Sequence, residues 1–217
     1  GALLAQFDDK GDNVKVGTLI AEAGGFVSAP IYSSVSGTVT RIDSVVDATG
    51  YRHPAIIIKV EGDEWEETID RSAALETLDK HPELTAEEIV ARVKWGGITG
   101  MGGAGFPCHV KLCPPPTAKA ECVILNGVEC EPYITSDYRL MLEHADEILV
   151  GLDLLMRAAH VERGYIGIEE NKPDAIRLLQ EKTANRQDIK IVPLKMKYPQ
   201  GGEKQLVDAV IDRQVPA

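Results

Sequence analysis

Three short stretches hold the residues that could do chemistry. The first reads GMGGAGFP over residues 100–107, with four glycines in six positions ahead of an aromatic ring and a proline. Glycine lets a flat ring or a phosphate lie against bare backbone, and successive N–H groups can converge on an anion. Gly100, Gly102 and Gly105 match the dinucleotide pattern G-x-G-x-x-G letter for letter, and Gly103 is the fourth glycine. Phe106 and Pro107 end the loop with bulky, rigid residues, which favours a cofactor loop over a flexible linker. Pro107 can start a short helix through Val110, and Lys111 adds a mobile cation four residues later. A flat aromatic cofactor carrying one phosphate suits all of these features together.

The second stretch is NGVECEP, residues 126–132. Asn126 offers two donors and an acceptor. Glu129 and Glu131 stand two apart, so in an extended segment they point differently and can serve different ligands. The bland alternative is a solvated turn. The third stretch is YPQGGEK, residues 198–204, opening a helix. Gly201 and Gly202 again allow close approach, and Glu203 in the first turn either meets a ligand or only complements the helix dipole.

These stretches need elements to hold them. Residues 1–62 read as all-β, with short apolar runs at Ala2–Leu4, Thr18–Ala21, Thr38–Ile42 and Ala55–Val60 between Gly, Asp and Ser. DKGDNVKVGTLIAEAGG and SVSGTVTRID resemble the two halves of a biotinyl/lipoyl-type barrel sandwich. The stretch between them, EAGGFVSAPIYSS, holds no lysine, so covalent carriage of a swinging cofactor is not expected. Residues 63–95 read as a connection. Thr85 and Glu88 form a capping box for a helix over Ala86–Trp95, with Ile89, Val90 and Val93 inward and a stop at Gly96-Gly97.

From residue 122 the pattern alternates. Strands are expected at Cys122–Leu125, Gly164–Ile168 and Ile189–Leu194. Helices are expected at Tyr138–His160, Pro173–Ala184 and Glu203–Ile211. Such alternation predicts a parallel sheet covered by helices. The second stretch then sits at the carboxyl end of the first strand, where open α/β sheets place ligands. The first stretch follows a predicted helix, not a strand, and no acidic residue ends a strand about twenty residues on. Both points argue against an ordinary nicotinamide dehydrogenase. Pro114-Pro115-Pro116 reads as a stiff spacer.

The chain has 217 residues and a formal net charge of -11, which disfavours nucleic acid as a partner. No window approaches 18 uninterrupted apolar residues. The first residue is Gly, so a processed or cut chain is expected. Cys108, Cys113, Cys122 and Cys130 lack CxxC spacing and read as reduced thiols, with no metal site.

Taken in order, GMGGAGFPCHVKL, NGVECEPYITSDYRLM, IGIEENKPDAI and KYPQGGEKQL resemble the C component of the Rnf electron transport complex, the ion-translocating ferredoxin:NAD oxidoreductase. The resemblance extends over essentially the whole chain, including APIYSSVSGTVTRI. The same core is similar to the flavin-bearing, NADH-binding subunit of respiratory complex I, which carries RGGAGFP, NADEGEPG-type and CGEE-type segments. The resemblance implies a barrel-sandwich domain at 1–62, a connecting segment at 63–95 and a Rossmann-like FMN/NADH-binding α/β domain at 96–217, incomplete at its C-terminus.

It also implies roles for individual residues. Gly100, Gly102, Gly103 and Gly105 would flank the flavin, with Lys111 near its phosphate or ring edge. Asn126 and Glu129 match flavin contacts. Phe106 and Glu131 match positions near the nicotinamide nucleotide. Gly202 and Glu203 match the start of the GEE turn. Lys204 departs from the complex I pattern, where a second glutamate stands, and Cys108 stands where threonine is often found. No side chain need act as nucleophile or base.

The implied function is an electron-input module, moving electrons through FMN between NAD(H) and iron–sulfur clusters. The alternative is a non-catalytic docking scaffold of the same kind of complex. Partners would be other membrane subunits, NADH and, indirectly, ferredoxin. Location would be peripheral, on the cytoplasmic face of the cell membrane. The cysteine runs that bind two 4Fe-4S clusters in that family are absent from these residues.

Overall fold

A computed structural model describes residues 3–4, 11–72, 74–102, 104–115 and 117–215. Ala2, Asp9 and Lys10 of the expected β segment, Gly103 of the glycine loop and Pro116 of the proline run lie outside the described residues. The chain divides into two compact units. One comprises Gly1–Ala74 with Val90–Lys111, and the other Leu75–Ile89 with Leu112–Ala217.

Among the described residues of the first unit, six strands form two antiparallel three-stranded sheets. β1 (Leu3–Leu4), β3 (Leu19–Glu22) and β4 (Ile31–Tyr32) make one, in the order β1-β3-β4. β2 (Asn13–Val14), β5 (Gly37–Val46) and β6 (Arg52–Val60) make the other, in the order β2-β5-β6. β5 and β6 run past the expected apolar cores into a long hairpin, and most of that added length is exposed. The buried apolar side chains here are small: Val14, Ala21 and Val39. Buried serines supply hydrogen bonds in their place. Ser36 Oγ donates to the Glu61 carbonyl at 2.8 Å and accepts from Glu64 N at 3.2 Å. Gly37 is obligatory, because a Cβ there would lie 2.0 Å from the Lys59 carbonyl oxygen.

The helix α1 runs over the expected span, Ala86–Trp95. Its capping box forms: Thr85 N donates to Glu88 Oε2 at 2.9 Å and Glu88 N to Thr85 Oγ1 at 3.2 Å. At the other end Gly97 takes φ +63, and Ile98 N reaches back to the Val93 carbonyl, closing a left-handed cap. One short helix, α2 (Cys108–Lys111), follows the glycine loop.

The second unit is built on a parallel sheet of order β7-β8-β9, from Val123–Gly127, Gly164–Glu169 and Ile189–Leu194. The helices are α3 (Ser136–Glu143), α4 (Ala145–Ala158), α5 (Pro173–Lys182) and α6 (Glu203–Ile211). One core gathers Met141, Leu152, Met156, Ile166, Ile168 and Leu179 from α3, α4, β8 and α5. A second, smaller core joins α6 to the sheet through Val128, Leu194 and Leu206. Gly167 is what lets α6 come close, since a Cβ there would meet Leu194 and Leu206 side chains at 3.1 Å.

One expected element is corrected. The single helix over Tyr138–His160 is two helices that meet at His144, whose φ of -129 leaves the helical range. The backbone ladder continues across it, with His144 N bonded to the Leu140 carbonyl and Ile148 N to the His144 carbonyl. The apolar spacing therefore passes through the kink undisturbed. The kink lets α3 follow α5 and β7 while α4 follows β7 and β8. The first strand is also displaced: it runs Val123–Gly127 and takes in Asn126 and Gly127, which the sequence pattern places beyond its end.

Candidate functional site

The glycine loop is a hairpin-like turn. Thr99 and Pro107 form an isolated antiparallel bridge, and Gly100 N donates to the Phe106 carbonyl at 2.8 Å. Within the loop, Gly105 takes φ +59, a conformation suited to glycine. Gly102 has no such demand. A Cβ on Gly102 would meet nothing within 4 Å, and its φ is outside the left-handed region. The chain's own folding therefore gives no reason for glycine at 102. Phe106 is half-buried, and the Lys111 ammonium stands 5.9 Å from its ring centroid. Behind the loop His109 is buried, with Nδ1 lacking a partner among the described residues.

At the carboxyl end of β7 the segment 126–132 is held tightly. Asn126 Nδ2 donates to the Gly201 carbonyl at 3.0 Å, and Asn126 Oδ1 accepts from Val128 N at 3.1 Å. Gly201 N in turn points at Cys130 Sγ, 3.4 Å away. The second and third sequence stretches are thus brought together. The two glutamates part company, as their spacing predicts. Glu131 is exposed, whereas Glu129 is buried. Glu129 accepts from Asp137 N at 2.6 Å, Tyr138 N at 3.0 Å and Ser136 Oγ at 3.3 Å. Its carboxylate caps the N-terminus of α3, satisfying amides that no helix can satisfy internally. Glu203 is exposed in the first turn of α6 behind an extended Gly202, which serves as N-cap without a side-chain bond.

The sequence pattern does not reveal a buried ion pair at the end of β8. Glu169 is fully buried and its Oε2 accepts from Lys172 Nζ at 2.9 Å, while Oε1 has no partner among the described residues. The one signal is a Glu-x-x-Lys spacing straight after an apolar strand. Asp137 belongs to the same neighbourhood. Partial burial and the Glu129 charge push its carboxyl up, against the pull of the Lys172 ammonium. Gln200, in the turn before α6, is likewise buried, with Nε2 unpartnered among the described residues. Among the described residues no group of His, Cys, Asp or Glu is arranged to hold a metal ion.

These features fit a flavin nucleotide in two respects. Bare backbone at Gly102 and Gly105 faces open space, and a cation stands beside the loop's aromatic ring. Comparisons with known proteins give the domain families. Residues 93–217 match the Nuo51 FMN-binding domain, and residues 4–63 match the RnfC barrel sandwich hybrid domain. The C component of a proton-translocating ferredoxin:NAD(+) oxidoreductase complex from Clostridium ljungdahlii is 44% identical, aligned over 100% of this chain and 46% of its own length. The Na(+)-translocating counterpart from Acetobacterium woodii is 42% identical over 100% of this chain and 48% of its own. The chain thus spans about half the length of the curated relatives it matches. An NAD+-reducing NiFe hydrogenase in the H2-reduced state shares the fold, with a TM-score of 0.54 and 23% identity over 60% of this chain and 25% of that one.

Proposed function

This chain belongs to the Nuo51 FMN-binding domain family, and on that premise we propose that it is the electron-input part of an ion-translocating ferredoxin:NAD oxidoreductase. The observation that carries the proposal is Gly102, whose bare backbone the fold itself does not require. When bound, FMN supplies two-electron chemistry with NAD(H) and one-electron chemistry with iron–sulfur clusters. The protein's part is binding and orientation.

Gly100, Gly102, Gly103 and Gly105 would lie along the flavin, and Lys111 would hold its phosphate or ring edge. Asn126 would contact the flavin. Glu129 would act by fixing α3 and the 126–132 segment, since its carboxylate is already engaged there. Phe106 and the exposed Glu131 would meet the nicotinamide nucleotide, and Gly202 with Glu203 would serve in cofactor binding. No residue need act as nucleophile or base. In this reading residues 1–62 form the barrel-sandwich module, 63–95 the connection and 96–217 the FMN/NADH domain. The partners are the other membrane subunits and, indirectly, ferredoxin. The 4Fe-4S ligands belong to residues outside this chain, and the location is peripheral on the cytoplasmic face of the membrane. No helix among the described residues is long and apolar enough to cross a membrane.

The test is flavin binding by the full-length protein. Reconstituted wild type should hold FMN, and Gly102→Val should lose it while keeping its melting temperature. Wild type that folds but holds no FMN would overturn the proposal.

A further inference from the structure

Within the first unit, a crevice of about 650 Å³ opens between two segments. Its volume suits a nucleotide-sized ligand. One wall is the β3–β4 connection, Val27–Ile31, and the other is the glycine loop, Ala104–Pro107. The first segment lies where a carrier module would present its lysine, and here it is apolar, with Val27 and Ile31 both more than half exposed.

The β wall is fixed to the end of α1, from which the glycine loop departs. Tyr32, which ends the β wall, donates its hydroxyl to the Trp95 carbonyl, and the two rings lie 5.9 Å apart. Gly97 passes so close to Pro30 that a Cβ would lie 2.5 Å from the Pro30 carbonyl oxygen. The crevice is therefore bounded at its base by specific contacts.

Its lining chemistry is selective. The chain carries 34 acidic residues and a net charge of -11, yet among the described residues no charged one lines the crevice. The Lys111 ammonium stands over the Phe106 ring, 5.9 Å from its centroid. Ser28 Oγ accepts from Gly24 N at 3.1 Å, which leaves its hydroxyl proton free to donate. An aromatic ring, an apolar wall, a hydroxyl donor and a nearby cation, all without carboxylates, suit a heteroaromatic ring on a sugar phosphate.

We propose that residues Val27–Ile31 of the barrel-sandwich module form a wall of the NAD(H) site, holding one nucleotide half of the dinucleotide against Phe106. This rests on the reading of the glycine loop as an FMN/NADH loop. It assigns the β module a direct part in nucleotide binding and explains why its exposed hairpin is apolar where a carrier has lysine.

The test is equilibrium dialysis of NADH, AMP and NMN against the full-length FMN-loaded protein. Val27→Asp puts an anion in the wall, and Val27→Trp fills the crevice. Each should raise the Kd for NADH about tenfold or more, with FMN content and melting temperature unchanged. Val27→Asp should also weaken AMP or NMN, and the one weakened is the half lying against the wall. Val46→Asp, at an equally exposed apolar position on β5, serves as control and should leave all three Kd values as they were. Unchanged Kd values in both Val27 variants would overturn this inference while leaving the flavin reading intact. Wild type that holds FMN but binds no NADH would overturn it too, together with the NADH part of that reading.

Discussion

The glycine loop at 100–107 and the turn before α6 hold their glycines for different reasons. In the turn before α6, glycine answers to packing. A Cβ on Gly202 would meet the Gln205 side chain at 2.5 Å and the Pro199 carbonyl at 3.2 Å, while one on Gly201 would only touch Cys130 Sγ and the Val128 carbonyl at 3.4 Å. In the loop at 100–107, Cβ atoms on Gly102 and Gly105 would meet nothing. A glycine crowded by its own chain reports on folding. At Gly102, with room around it and an ordinary φ, the fold itself gives no reason for glycine.

Substitutions can break or sharpen that contrast. A large stability loss is expected at Gly127→Val, where a Cβ would lie 2.9 Å from the Gly167 carbonyl and 3.2 Å from Met141 Sδ. Overpacking there should cost roughly 3 kcal/mol in chemical denaturation. Gly202→Ala should cost about 1 kcal/mol, because the nearer of its contacts is the mobile end of Gln205. Gly102→Ala should change stability by no more than about 0.5 kcal/mol. Should Gly102→Ala prove as damaging to the fold as Gly127→Val, the contrast is lost.

The two glutamates of the 126–132 segment sharpen it further. Glu129→Gln removes a charged cap from α3 and should cost about 1 kcal/mol, whereas Glu131→Gln should leave the melting temperature unmoved and alter only nucleotide affinity.

The smallest effect is one of pH. The Arg186 guanidinium, which bonds both Asp188 and Asp153, holds the Asp188 carboxyl below its ordinary value. The lowered folded-state pKa means this pair stabilises fully above about pH 4 and fades as pH falls through the folded value. Asp188→Asn should flatten the acid limb of the stability curve below about pH 4, read by denaturation at each pH.

Much of the fold is legible in the sequence where the signal is local. Thr85 and Glu88 are three residues apart and cap each other, so α1 begins where they place it. β9 and α6 likewise follow their own periodicity, Ile189–Leu194 and Glu203–Ile211. What escapes detection depends on partners distant in sequence. The kink at His144 leaves the apolar spacing intact, so no count of periods reveals it. Glu129 caps a helix that begins seven residues later, whereas local capping rules look three residues ahead. Glu169 reads as one charge among 34 acidic residues until the sheet buries it beside Lys172. For the candidate site, types and spacing mark the stretches that the fold brings together at 126–132 and 198–204. The division of labour between Glu129 and Glu131 emerges only from burial.

The grip of the 126–132 segment has a consequence for how this protein can change. Asn126 is tied to Gly201 in the turn before α6, and three residues on Glu129 is tied to the start of α3. One short stretch therefore serves as a shared anchor for two helices. Positions 129 and 137 cannot be exchanged independently, because the Glu129 charge bears on the Asp137 carboxyl: the double substitution will differ from the sum of its parts, by about 0.5 kcal/mol or more. Variation near this corner should accordingly arrive in matched sets, while the open glycine at 102 answers only to its ligand.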